Sequence, residues 1–173
     1  PSVYVQIGAD NIVSVVVHRS EMGQGIRTSI PMIVADEIGA DWQQIAVVQG
    51  LGDKKYGSQN TDGSRSVRRF YQPLREAGAA ARMMLQQAAA QQWQVDVSET
   101  TAENSTIVHK KSGRVLPFGS LVSAASKLKL PEQSALILKA KKDFNLIGKS
   151  DVALVDGKKI ATGATTYGFD VEL

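Results

Sequence analysis

IVSVVVHRSEMGQGIRTSI, residues 12–30, holds a strand, a glycine turn and the start of a helix in nineteen residues. Residues 12–17 are β-branched apolar residues around one serine, which favours an extended strand. Gly23 and Gly25 flank Gln24, and beyond them Ile30, Ile33, Val34 and Ile38 recur at helical spacing up to Gly39, a residue suited to stopping a helix. Pro31 is harmless in a first turn if the helix begins near Thr28. A helix beginning at Gly25 should kink there. Upstream, VYVQI (residues 3–7) and the turn residues GADN predict an antiparallel hairpin with residues 12–17. Downstream, IAVVQG (45–50) reads as a third strand.

The pattern continues outward. Residues 51–66, LGDKKYGSQNTDGSRS, carry no periodicity, and a loop of that length in a compact domain is commonly functional or disordered. The strongest helix follows from about Ser66 to Trp93, with a kink or short break expected near Pro73. TAEN, STIVH and RVLPF predict a second hairpin over 101–117, and PFGSLVSAASKL a turn plus short helix to about Leu128. After Pro131 the chain alternates weakly. The expectation is an α+β fold, an antiparallel or mixed sheet packed with two to three helices.

Composition narrows the chemistry. The chain has 173 residues, 43% apolar and 21% charged, enough to bury a substantial core. A net charge of +3, from 20 basic and 17 acidic residues, is too small to argue for nucleic acid. With no cysteine, disulfides, thiolate metal sites and an iron–sulfur cluster held by this chain are excluded. No apolar run approaches the roughly 18 residues that cross a bilayer. The chain begins Pro1-Ser2, which suggests a trimmed N-terminus.

Two loops carry the candidate chemistry. A strand, a Gly-Gln-Gly turn and a helix N-terminus can point free N–H groups and the positive end of the helix dipole at an anion. Gly23 and Gly25 allow close backbone approach, and Gln24 offers donors and an acceptor on one plane. TDGSRSVRR (61–69) again sets Gly63, Ser64 and Ser66 ahead of a helix, interleaved with Arg65, Arg68 and Arg69. Hydroxyls, backbone N–H groups and guanidinium forks together suit a phosphorylated ligand. The plainer readings are a tight turn with a solvated glutamine, N-capping by the serines and a solvated arginine face.

GADNIVSVVVHRSEMGQGIRTSIPMIVADEIGADWQQIAVVQG (8–50) and YGSQNTDGSRSVRRFYQPLREAGAAARMML (56–85) resemble the molybdenum-binding large subunit of the xanthine oxidase family. Within it the nearest likeness is to isoquinoline 1-oxidoreductase beta subunits and their aldehyde dehydrogenase relatives. TAENSTIVHKKSGRVLPFGSL and KDFNLIGKS extend the likeness. The tail DGKKIATGATTYGFDVEL is similar to the opening of the family's small hammerhead domain. The resemblance implies a molybdopterin-binding portion over 1–150, a truncated hammerhead-like segment over 151–173 and a chain that is a fragment of a larger subunit.

The same resemblance implies a molybdenum hydroxylase acting on an N-heterocycle or an aldehyde. Its cofactor would be molybdopterin cytosine dinucleotide, and a small partner subunit would carry the 2Fe–2S clusters. Gly23, Gln24 and Gly25 would meet the phosphate region of the cofactor. Gly63, Ser64, Arg65 and Ser66 would line its other side, near the pterin and the oxo ligands, with Met22 and Asp62 as neighbours. The family's glycine- and phenylalanine-bearing loop and its glutamate base have no match here, so no catalytic residue is assigned. The isolated chain should not turn over, and neither substrate nor localisation follows, although relatives of this subtype are often exported.

Two rival readings are a stand-alone binding or assembly module without catalysis, and a binder of phosphorylated ligands. A reading frame that stops at Leu173 would favour the first, and nucleotide titration would test the second. Of the remaining polar residues, His18 and His109 are expected at strand-end surfaces with no carboxylate at ligand spacing. Asp36 and Glu37 are expected to be solvated or end-of-helix charges, and the lysines at 139, 141, 142, 158 and 159 a wet surface. Trp42 and Trp93 are expected to anchor helix-to-strand corners.

Overall fold

The computed structural model describes residues 2–149 and 152–172. Pro1, Leu173 and the expected boundary at 150/151 lie outside them. Strand β2 (Val13–Val17) is the centre of the first sheet. Its alternation sends Val13, Val15 and Val17 into the core at 0% exposure, while Ser14 and Val16 point to the other face. β1 (Val5–Ile7) pairs antiparallel to it, Val5 opposite Val15, as the GADN turn predicts. β3 (Ile45–Gln49) pairs parallel, Val13 opposite Ile45 and Val17 opposite Gln49. Parallel pairing needs a crossover, and helix α1 (Ile26–Ile38) supplies it.

α1 starts at Ile26, so Pro31 lies inside it rather than in its first turn. Gly39 closes it in the left-handed region (φ 81°) and returns its N–H to the carbonyls of Ala35 and Asp36. α2 (Arg65–Trp93) runs as one helix of 29 residues across Pro73, without the expected break. Packing along α1 supports it beyond the proline, through Arg75, Gly78 and Arg82. A Cβ on Gly78 would stand 3.0 Å from the Glu37 Cβ and 3.2 Å from the Val34 carbonyl oxygen, so the two helices touch backbone to backbone there. Leu74, Ala79, Leu85, Ala88 and Ala89 of α2 join the β2 valines and Ile30, Ile33, Val34 and Ile38 of α1 in one core.

β4 (Thr100–Glu103), β5 (Thr106–His109) and β6 (Val115–Pro117) form a second, antiparallel sheet, and α3 (Phe118–Ala125) follows directly. Asn11 joins the two halves, accepting from the Gly119 N–H at 2.8 Å and donating to Gln44 Oε1 at 2.9 Å. Among the described residues beyond α3 there are one short α-helix, α4 (Gly157–Ala161), three single-turn 3-10 helices and no strand. This is the α+β architecture expected, with the first sheet mixed and the second antiparallel.

The helix charges overturn expectation. Asp36 and Glu37 are 2% and 1% exposed, not solvated. Adjacent on α1, they face opposite neighbours. Glu37 takes Arg75 at 2.8 Å and Arg82 at 2.9 Å from α2. Asp36 accepts the N–H groups of Asn145, Leu146 and Ile147 at 3.0, 3.1 and 2.9 Å. Lys139 also leaves the expected wet surface, donating its backbone N–H to Glu37 Oε1 and its Nζ to the Asp36 carbonyl. At this depth the pairing is obligatory, since a buried charge without a partner costs several kcal/mol.

Candidate functional site

The two glycine-bearing turns, about forty residues apart in the chain, line one cleft. Met22, Gln24, Ile26 and Ser29 form one wall and Thr61, Asp62, Gly63, Ser64, Ser66 and Val67 the other, around a cavity of about 420 Å³. β2 and α1 carry the first wall and the start of α2 the second. A hydrogen bond from the Ser20 N–H to Thr61 Oγ1 (3.0 Å) ties them together at the rim. Gln59 strengthens the tie by donating to the carbonyls of His18 and Leu51. Of the residues expected at the site, Gln24, Gly63, Ser64 and Ser66 line the cleft. Gly23 and Gly25 shape its first turn from behind, at φ 96° and 80°. Arg65 instead spends its guanidinium on Asp62, with Nε at 2.9 Å from Oδ1.

The two helix mouths differ. At α1 the N–H groups of the glycine turn and of Arg27 are taken. Glu21 accepts from Gly23 (2.8 Å) and Gly25 (2.9 Å) on one oxygen and from Arg27 (3.0 Å) on the other. Gln24 folds onto the same turn, accepting the Met22 N–H and donating to the Ser20 carbonyl. Burial pulls the Glu21 carboxyl upward, but the backbone N–H groups of Arg27, Gly25, Gly23 and Met22 outweigh it and hold the group below the usual glutamate range. At α2, Ser64 sits at the cap in the left-handed region (φ 55°), yet its side chain caps nothing and no acid stands in the first turn. Plain N-capping by Ser64 is therefore not what this turn does.

Behind the second wall lies an aromatic and cationic cluster that the residue pattern does not reveal. His18, expected at a strand-end surface, and Arg19 beside it are each 1% exposed. His18 lies 4.2 Å from the Phe70 ring and 5.1 Å from Tyr4, and Arg19 stacks 4.8 Å over Phe70. Burial, then the Arg19 charge, lowers the His18 pKa to about 4, so the ring is neutral at pH 7. The sequence shows only a strand running out; the cover comes from the 51–62 loop and α2. His109 is also buried, with its ring nitrogens against Glu99 (2.8 Å) and Ser112 (2.6 Å). A carboxylate does accompany it, brought by the β4–β5 pairing from ten residues away.

A mixed sheet whose central strand feeds a glycine turn and a crossover helix, with a second helix mouth across a polar cleft, defines a cofactor-binding domain. The profile of the molybdopterin cofactor-binding domain family matches residues 1–170, and the chain belongs to that family. It is 31% identical over its full length to the beta subunit of isoquinoline 1-oxidoreductase from Brevundimonas diminuta, of which it covers 27%. It is 31% identical over its full length to a membrane-bound aldehyde dehydrogenase (pyrroloquinoline-quinone) of Gluconacetobacter polyoxogenes, covering 22% of that protein. To a nicotinate dehydrogenase subunit of Pseudomonas putida it is 30% identical over 99% of its length, covering 14%. The chain thus spans about a quarter or less of these relatives. The crystal structure of quinoline 2-oxidoreductase from Pseudomonas putida 86 shares the fold over 71% of this chain and 16% of that one, with a TM-score of 0.55 and 20% identity.

Proposed function

We propose that this chain forms one wall of a molybdopterin cytosine dinucleotide site in a molybdenum hydroxylase of N-heterocycles or aldehydes. The observation that carries the reading is the shared cleft of the 22–29 and 61–67 segments. Its residues fit such a group. Thr61, Ser64 and Ser66 offer hydroxyls, Gln24 offers the amide N–H that its turn leaves over, Ile26 and Val67 offer apolar cover for a flat ring, and the Ser64 hydroxyl is not used in capping. Gly23 has nothing within 4 Å of where a Cβ would stand, leaving backbone open to close approach.

In this reading Gln24, Gly63, Ser64 and Ser66 hold the cofactor, while Gly23, Gly25 and Arg65 shape the turns that present them. The bound cofactor would supply the metal chemistry that oxidises an electrophilic carbon. These residues bind and orient it and exclude water from one face, and none of them is assigned proton transfer. The same proposal includes residues 151–173 as the opening of a hammerhead-like domain, the rest of a large subunit, and a small partner carrying 2Fe–2S clusters. Two of the relatives are named as single subunits of their enzymes, which supports it.

The test is cofactor content. In the full-length protein, changing Gln24 and Ser64 together to Ala should strip molybdenum and cytidine from the purified material while its circular dichroism stays unchanged. Full molybdenum and cytidine in that variant would refute the assignment.

A further inference from the structure

The guanidinium of Arg19 is the least explained group in the molecule. It is 1% exposed, and Nε and both terminal nitrogens have no hydrogen-bond partner among the described residues. An ion buried that way destabilises the fold unless something compensates it. Its one specific contact among them is the face of Phe70, in the second turn of α2, at 4.8 Å. The backbone on either side is pinned: the Arg19 carbonyl accepts from Gln49 at 3.1 Å, and the Ser20 N–H donates to Thr61. The side chain is therefore held against the start of α2, beside the turn that forms the second wall of the cleft.

Charge accumulates there with one sign. Burial, followed by the Arg65 and Arg69 charges, pushes the Arg19 pKa down, and among the nearby groups Asp62 is the one carboxylate working the other way. Asp62 is already engaged by Arg65. The positive end of the 29-residue α2 adds to the excess, with no acid in its first turn and no side-chain cap. The α1 mouth, filled by Glu21, repels a second anion, so the cleft is electrostatically polarised from one wall to the other.

We propose that Arg19 is the buried countercharge for an oxyanion group, a phosphate ester or a metal-oxo group, held at the turn 61–66, and that the α1 turn takes the uncharged part of the same ligand. This deepens the cofactor reading and reverses the expectation that the Gly23–Gly25 turn meets the phosphate. Arg19 acts through its field, since its nitrogens are covered; the ligand's direct partners are the Ser64 and Ser66 hydroxyls, the Arg65 N–H being taken by the Asp62 carbonyl at 3.0 Å. An arginine kept for this purpose destabilises the ligand-free protein and stabilises the loaded one.

The experiment uses the full-length protein stripped of cofactor, with melting followed against inorganic phosphate, molybdate and cytidine monophosphate. The wild type should melt higher with added oxyanion. A rise with phosphate and cytidine monophosphate identifies the phosphate ester as the natural occupant, and a rise with molybdate alone identifies the metal-oxo group. Arg19→Met should melt about 3 °C higher than wild type without ligand. It should bind the oxyanion about ten-fold more weakly once the buried countercharge is gone. Arg19→Lys should keep part of the oxyanion response. The proposal is overturned if Arg19→Met melts lower or fails to fold, if its oxyanion response equals that of the wild type, or if no anion shifts the wild type. Absence of molybdenum and cytidine from the native protein would instead refute the cofactor reading and leave the oxyanion result standing.

Discussion

Glu21 reaches six residues forward to accept the backbone N–H of Arg27 at 3.0 Å, with its other oxygen on Gly23 and Gly25. One carboxylate thereby satisfies donors that a helix N-terminus ordinarily leaves to solvent or a ligand, and fixes the turn that presents Gln24.

Removing that carboxylate should loosen the turn measurably. Glu21→Ala is expected to cost about 1–2 kcal/mol in urea unfolding at pH 7, the range of a lost helix cap. The folded pKa is depressed, so this contribution is present above the unfolded glutamate value and is lost as pH falls through the folded one. The gap between wild type and variant should therefore close in acid. A gap unchanged in acid would refute the capping role.

His18 gives a second pH dependence at higher pH. Its folded pKa of about 4 lies below the unfolded value of about 6.5, so the unfolded chain binds the extra proton in between. Stability is full above about pH 6.5 and falls progressively toward pH 4, by about 3 kcal/mol at most. His18→Phe keeps the stacking against Tyr4 and Phe70 and should flatten the unfolding profile across that window. An unchanged slope would assign the titration elsewhere.

The Glu37 pair should be asymmetric to mutation. Glu37→Ala leaves Arg75 and Arg82 with carbonyl partners but no carboxylate beneath α1, and should cost about 3–5 kcal/mol in chemical denaturation. Adding Arg82→Met should return part of that loss, because one buried charge without a countercharge goes with it. A double variant less stable than Glu37→Ala would contradict the electrostatic account.

Asp36 works as a clasp on a distant segment. Asp36→Ala removes the acceptor of three consecutive N–H groups at 145–147. Amide exchange at those residues should speed up by at least about ten-fold, as each lost hydrogen bond contributes about 1 kcal/mol. Exchange in β2 should stay slow, since its pairing does not involve that segment.

Gly39 tests the backbone alone. At φ 81°, a Cβ there would stand 2.5 Å from the Ala102 carbonyl oxygen, where the end of α1 meets β4. Gly39→Ala should cost at least about 1–2 kcal/mol in thermal or urea unfolding, from strain plus displaced sheet backbone. A neutral outcome would show that the second sheet moves aside freely.

Local residue pattern decided the β1–β2 hairpin, the end of α1 at Gly39, the two ends of α2 though not its continuity across Pro73, and the second hairpin, because period and turn chemistry act between near neighbours in the chain. The EMGQG and GSRS stretches were legible as candidate sites for the same reason: glycine and serine ahead of a helix state a local backbone need. Burial was not legible. Asp36, Glu37, His18, Arg19 and His109 carry polar side chains, and a polar residue goes inside when partners or cover arrive from elsewhere. Glu37 depends on Arg82, 45 residues on, and Asp36 on backbone 109 to 111 residues on. Tertiary structure also decided which helix mouth stays available. Glu21 closes the first by folding back six residues, whereas the charge around the second exists because the 51–62 loop and α2 bring Arg19, Arg65 and Arg69 to one place.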